Sequence, residues 1–475
     1  MLDSNSTLRS DSQNEVAVPA RLVERVRAVL DAPSGTSPRI VRVTAAGSGE
    51  ESLHDWLRAR AGAEAVYWSG RDDDGAVAAV GAADVVATDA APLDYTALQH
   101  TFDNRLKRAT APVRYFGGIR FDAGHAPRSS GEATPWAPFG TARFVLPRLE
   151  LREEEGQRTW ACNLVLPRDQ EQADALLSSL RSPSSTPAGA TSLPRPIERT
   201  DRPNREQWTD MVEWALEAIR EGGLDKVVLA RRVALSMGVP LDPFLMLHHL
   251  QADTPGCFHF AVRPAEGPAF VGASPERLLR REGPTIQSEA IAGTRSRGDS
   301  AQSDAALRDE LMDSAKERRE HAFVQDAIRK RLDGLCTNVD AAEAPTDLTL
   351  SRRRHLHAPL TGTLRPSVST GDVLDALHPT PAVGGVPTEA ALDAIRTQEP
   401  FDRGWYAGPV GWIGADAAEF AVGIRAGLVH DADLTLFSGA GIVEGSVPER
   451  EWDEIEQKIE DFAALLGGTE TNGEA

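Results

Sequence analysis

Short apolar runs punctuated by glycine and proline recur along almost the whole of this 475-residue chain, and too few helix-length segments separate them to give a regular βαβ alternation. An α+β architecture with antiparallel sheets is therefore expected, not a doubly wound parallel sheet. The runs include "VRYFGGIRFD" (113–122), "ARFVLPRLELREEEGQRTWACNLVLPR" (142–168), residues 256–263 and 268–281, and three Gly-punctuated strands, "YAGPVGWIG", "AEFAVGIRAGLV" and "DLTLFSGAGIV". Residues 65–92 read as further strands with turns. Helical spacing marks "ARLVERVRAVLD" (20–31) and "REQWTDMVEWALEAIREGG", where Trp208, Val212, Ala215 and Ile219 share a stripe. It also marks "DSAKERREHAFVQDAIRKRLDGL" (313–335), with Ser314 and Glu317 as a capping box, and the closing "PEREWDEIEQKIEDFAALLGG".

Residues 181–205 are dense in Ser, Pro and Thr and read as an exposed loop or linker. They divide an amino-terminal part, 1–180, from a larger region, 206–467, and 468–475 reads as a disordered tail. With 51 basic against 71 acidic residues the formal charge is −20, which argues against a nucleic-acid or anionic-membrane partner. No apolar run approaches the roughly 18 residues of a membrane span, and the start lacks a secretory pattern, so a cytoplasmic location is expected. Cys162, Cys257 and Cys336 are too far apart in sequence for a CxxC pair or a thiolate zinc cage.

In "DKVVLAR" Lys226 stands at the mouth of an apolar strand and shares a face with Val228 and Ala230, an odd place for an ammonium. In the helix "KERREHAFVQDAI", Glu320 and His321 lie beside Val324 and Ile328, so at least one of them is expected to point inward; a solvated charged face is the plainer alternative. Glu454 and Lys458 are four apart, ordinary salt-bridge spacing. Glu276 in "GASPERLLR" opens a strand. "EAIAGTRSRG" suggests a Gly-Thr turn in which Arg295 and Arg297 cradle an anion, or else a charged hairpin loop. "SGAGIV" (438–443) suggests a second small-residue turn. Carboxylates on two helices suit a hard cation with oxygen ligands, and a lysine and a glutamate remain for proton transfer.

From about residue 200 to 465 the chain resembles the chorismate-utilising enzymes, the family of isochorismate, salicylate, anthranilate and aminodeoxychorismate synthases. The resemblance rests on "DKVVLAR", "GASPERLL", "EAIAGTRSRG", "SAKERREH", "HLHAPLTGTL", "LHPTPAVGGVP", "RGWYAGPVGW", "FAVGIRAG", "SGAGIVEGS" and "EWDEIEQK", in family order. It implies an α+β fold of two orthogonally packed antiparallel sheets flanked by helices. It also implies Mg²⁺ held by Glu320 and Glu454, Glu276 as general acid, and Lys226 as the base that activates water. Tyr406, Arg425, Gly439 and Lys458 would take substrate carboxylates, with Gly293, Thr294 and His355 lining the pocket.

Within the family, Ala292 stands where aminodeoxychorismate synthases carry a nucleophilic lysine, and anthranilate synthases lack the lysine at the Lys226 position. No segment resembles a fused glutamine amidotransferase. Water attack on chorismate to give isochorismate is thus the implied reaction, and "RYFGGIRF" and "FVLPRLEL" resemble menaquinone-pathway isochorismate synthases. Siderophore-type isochorismate synthase, salicylate synthase and a silent chorismate-binding homologue are the alternatives. Ser438, where the family commonly has Ala, and "GADAAEF" (414–420) depart from the family pattern.

Overall fold

The computed structural model describes residues 18–467 apart from 34, 48–51, 61, 73–74, 128–133, 182–191 and 266, and within these it holds twenty strands and eleven α-helices. The strands are β1 (Arg39–Ala46), β2 (Ala65–Ser69), β3 (Ala76–Thr88), β4 (Tyr115–Ile119), β5 (Ala142–Glu154), β6 (Gln157–Leu166) and β7 (Glu198–Arg202). They continue as β8 (Lys226–Ser236), β9 (Phe258–Arg263), β10 (Ala269–Ser274), β11 (Arg277–Glu282), β12 (Thr285–Ser296), β13 (Cys336–Ala341), β14 (Thr346–Thr349) and β15 (Arg353–Leu364). Last come β16 (Gly385–Val386), β17 (Pro409–Ile413), β18 (Ala417–Val422), β19 (Ala426–His430) and β20 (Asp433–Ile442). The helices are α1 (Ala20–Asp31), α2 (Leu53–Arg58), α3 (Tyr95–Leu106), α4 (Ala173–Arg181), α5 (Arg205–Arg220) and α6 (Pro243–Asp253), then α7 (Ala301–Asp313), α8 (Ala315–Leu335), α9 (Thr370–Leu377), α10 (Thr388–Gln398) and α11 (Pro448–Ala463).

Every ladder between these strands is antiparallel, as the absence of βαβ alternation requires. One run passes from β8 through β20, β19, β10, β9 and β2 to β3. A second passes from β5 through β4, β17, β18, β11 and β12 to β15. The two sheets of the expected fold are halves of one hydrogen-bonded network, because the 13-residue strands β3 and β5 pair along their length and join the runs. The amino-terminal strands β2 to β5 thereby sit between β9 and β17, both from the carboxy-terminal part.

Several sequence expectations shift once pairing is visible. The tail at 468–475 and much of the 181–205 loop lie outside the described residues, and within that loop Glu198–Arg202 is β7, paired with β8. "AEFAVGIRAGLV" is two strands, broken at Arg425, whose φ is +50°. Ser438 to Ile442, read as a turn, are strand, because each pairs with a residue of β8. β8 is covered by β20 on one side and by β7 and β16 on the other, and it is buried from Lys226 to Arg231. Its unbroken "VVLA" fits a strand enclosed on both faces.

Candidate active site

The helices α8 and α11, which pack against β12 and β20, place acid by one pattern. α8 buries Glu317, His321, Val324, Ile328 and Leu332, and α11 buries Glu451, Ile455, Ile459 and Phe462. Each stripe begins with a glutamate in the first turn, where the positive end of the helix dipole favours it. Three residues on, Glu320 and Glu454 emerge beside them, and all four line one cavity between β8, β12, β15 and β20. The Ser314 hydroxyl accepts the Glu317 N–H, but the Glu317 carboxylate turns to Arg295 at 3.0 Å, so the expected capping box is only half made. Arg295 also meets Glu310, and Arg297 is paired with Asp304, so the expected anion cradle is closed by carboxylates.

Ten of the eleven residues expected at the site line this cavity: Glu276, Gly293, Thr294, Glu320, His355, Tyr406, Arg425, Gly439, Glu454 and Lys458. The eleventh, Lys226, lies fully enclosed behind it, with Nζ 2.9 Å from Glu320 Oε1 in an ion pair that lacks hydrogen-bond alignment. Space for this pair comes from Gly441, where a Cβ would collide with Glu320 Oε1 and lie 2.9 Å from Lys226 Cε. On the opposite wall Gly293, at φ +75°, forms a bulge in β12, and a Cβ there would come within 3.0 Å of Glu317 Oε2. Left-handed backbone and crowding together require glycine at that position.

Glu276 sits in the connection between β10 and β11, 3% exposed, and its Oε1 has no hydrogen-bond partner among the described residues. Burial, then the charge of Glu289, lifts its pKa to about 8 against the pull of Lys226. It is a carboxyl that keeps its proton at neutral pH. His355 Nδ1 lies 3.1 Å from Thr294 Oγ1 and 3.3 Å from the Gly293 carbonyl, while its buried Nε2 has no partner among the described residues. Burial, with Arg425 and Lys458 nearby, lowers the His355 pKa to about 3, so the imidazole is neutral. Tyr406 stacks on Phe437 with ring centroids 5.1 Å apart. Lys458 Nζ is 2.7 Å from Glu454 and donates to the Gly439 carbonyl at 3.1 Å. Arg425 lies 3.6 Å from Asp461.

Among the described residues no three His, Cys, Asp or Glu side chains are gathered as a ready metal site. The donor set nevertheless fits a hard divalent cation. The pKa values of Glu317 and Glu451 are raised, mainly by burial and in part by the neighbouring charges of Glu320 and Glu454. Four carboxylates, Glu317, Glu320, Glu451 and Glu454, thus converge on one cavity as oxygen donors of the kind a hard cation takes. Glu317 and Glu451 are not singled out by reading the helices separately. The signal was the Glu-x-x-Glu spacing that both helices share.

The family model described as "Chorismate binding enzyme" matches residues 34–467. The chain belongs to the chorismate binding enzymes. Within this family it is 37% identical over 372 residues to the chloroplastic isochorismate synthase of Catharanthus roseus, covering 74% of this chain but only 62% of that protein. It is 36% identical over 365 residues to isochorismate synthase MenF of Bacillus subtilis (strain 168), covering 76% of each. Among solved family structures, MenF, the menaquinone-specific isochorismate synthase of Escherichia coli, superposes with a TM-score of 0.81 at 28% identity, covering 94% of this chain and 99% of that one.

Proposed function

We propose that this protein is an Mg²⁺-dependent isochorismate synthase that converts chorismate to isochorismate. The observation that carries the reading is Glu276, a buried carboxyl on the wall of a cavity, with a pKa lifted to about 8 and an Oε1 that has no hydrogen-bond partner among the described residues; Arg425, Lys458, His355 and Tyr406 line the same cavity, and Lys226 lies behind it against Glu320. Arg425 and Lys458 are the cations suited to substrate carboxylate, and neutral His355 and Tyr406 orient the ring. Lys226, whose Nζ lies 2.9 Å from Glu320 Oε1, takes a proton from water as the water oxygen bonds to C2. The diene shifts, the C4–O bond breaks, and Glu276 delivers its proton to the departing hydroxyl, so one water enters and one leaves. Mg²⁺, held by Glu320 and Glu454 with Glu317 and Glu451 beside them, would neutralise the ring carboxylate, which otherwise faces a protein of formal charge −20.

Likeness to MenF along nearly the whole chain supports the menaquinone branch, and the three free, buried cysteines suit a reducing cytoplasm. Purified protein incubated with chorismate and Mg²⁺, with and without chelator, tests the reading by chromatography. Isochorismate that disappears with chelator, and that falls by about 10²–10⁴-fold in Lys226→Ala, is expected. Salicylate with pyruvate would move the protein to the salicylate synthases, and chorismate binding without product would make it a silent homologue.

A further inference from the structure

Only Pro275 and Glu276 connect β10 to β11, so the direction of the Glu276 side chain is set by the peptide groups on either side of it. One ion pair holds both. Arg71, in the connection from β2 to β3, donates to the Pro275 carbonyl at 2.5 Å and, through its two terminal nitrogens, to Glu289 Oε1 at 2.7 Å and Oε2 at 2.8 Å. Glu289 Oε1 in turn accepts the backbone N–H of Arg277 at 2.6 Å, and His357 Nε2 lies 3.0 Å from Oε2. Arg71 is 10% exposed and Glu289 3%, so the planar guanidinium fork and the carboxylate meet out of water, where their geometry is stiff.

We propose that Arg71 and Glu289 are positioning residues for the acid, clamping the Pro275 carbonyl and the Arg277 amide so that Glu276 is aimed into the cavity. The amino-terminal region, which the family model spans from residue 34, thereby contributes to the active site. This inference rests on the reading of Glu276 as the general acid. The clamp also acts by charge. Burial works against ionising Glu289, but hydrogen bonds from His357 and Arg71 hold its pKa at about 2, and its negative charge is the second cause, after burial, that keeps Glu276 protonated. The charged groups around Glu276 are then Glu289 of β12, Lys226 of β8, Arg277 of β11, Arg71 and, when protonated, His357 of β15.

Two variants of the full chain, assayed with chorismate and Mg²⁺, separate aim from charge. In Glu289→Gln the amide fills the same space and its oxygen can still accept the Arg277 N–H and one Arg71 nitrogen, but the charge and the second Arg71 bond are gone. Its kcat should fall about 10-fold and the alkaline limb of kcat/KM should move to lower pH. Arg71→Lys keeps the charge but cannot span the three acceptors, so kcat should fall by up to about 10²-fold with the limb in place. KM should stay within about twofold in both. Turnover within twofold of wild type in both variants overturns the clamp. So does a loss in which KM rises in parallel, the melting temperature falls and the pH profile does not move. Wild-type protein that makes no isochorismate, or Glu276→Gln with undiminished turnover, would instead overturn the reading on which the clamp rests.

Discussion

At the scale of single residues the proposed reaction depends on one carboxyl, Glu276, being kept neutral. The pKa of Glu276, raised from 4.5 to about 8, places the alkaline limb of kcat/KM near pH 8, read from a pH–rate profile with chorismate below KM. The same shift ties activity to stability. A carboxyl whose folded pKa lies above its unfolded value stabilises the fold fully only below the unfolded value, and that contribution is lost as pH rises to about 8. Glu276→Gln should therefore abolish turnover yet melt at a higher temperature than wild type at pH 9, with little difference at pH 4; equal melting curves at pH 9 would contradict the burial described. His355 has the opposite sign. Its lowered pKa gives stability that is present above about 6.5 and is lost as the pH falls toward 3.

At the scale of elements, α8, α11 and β20 hold the carboxylates and the lysine in register. Gly441→Ala should leave the protein folded, at a cost of about 1–3 kcal/mol from overpacking, and reduce turnover by about 10²-fold by pushing Glu320 off Lys226. Denaturant titration and steady-state rates measure the two effects separately. The helices were legible in the sequence because their 3.6-residue stripes are local, and the ordered family blocks marked the residues that converge on the cavity. Long-range choices were not legible. Whether "SGAGIV" is turn or strand is decided by β8, some two hundred residues earlier, which supplies its ladder partners. The Glu317 side chain left its capping role for Arg295, and Arg297 for Asp304, because tertiary partners outcompeted local ones. Glu289 and Arg71 carried no local signal, since their meaning lies in contact across the fold.

At the scale of the whole molecule, buried ion pairs fasten elements that are far apart in sequence. Glu399 accepts the Ala230 N–H at 2.8 Å, and Arg403, paired with it, donates to the Val228 carbonyl at 2.8 Å and the Val383 carbonyl at 2.9 Å. Glu399→Ala would leave Arg403 buried without its carboxylate and should cost about 3–5 kcal/mol in denaturant unfolding; a loss below 1 kcal/mol would show that this pair does not hold β8 in place. The placement of β2 to β5 between β9 and β17 has a temporal side as well. These strands pair with one another as they emerge, but the outer edge of β2 waits for β9 and that of β4 for β17, which is made only near the end of synthesis. The network closes only when the last third of the chain has emerged. A protein of this topology folds slowly and late, and its early strands are the segments most exposed to misassociation and most dependent on protection while they wait.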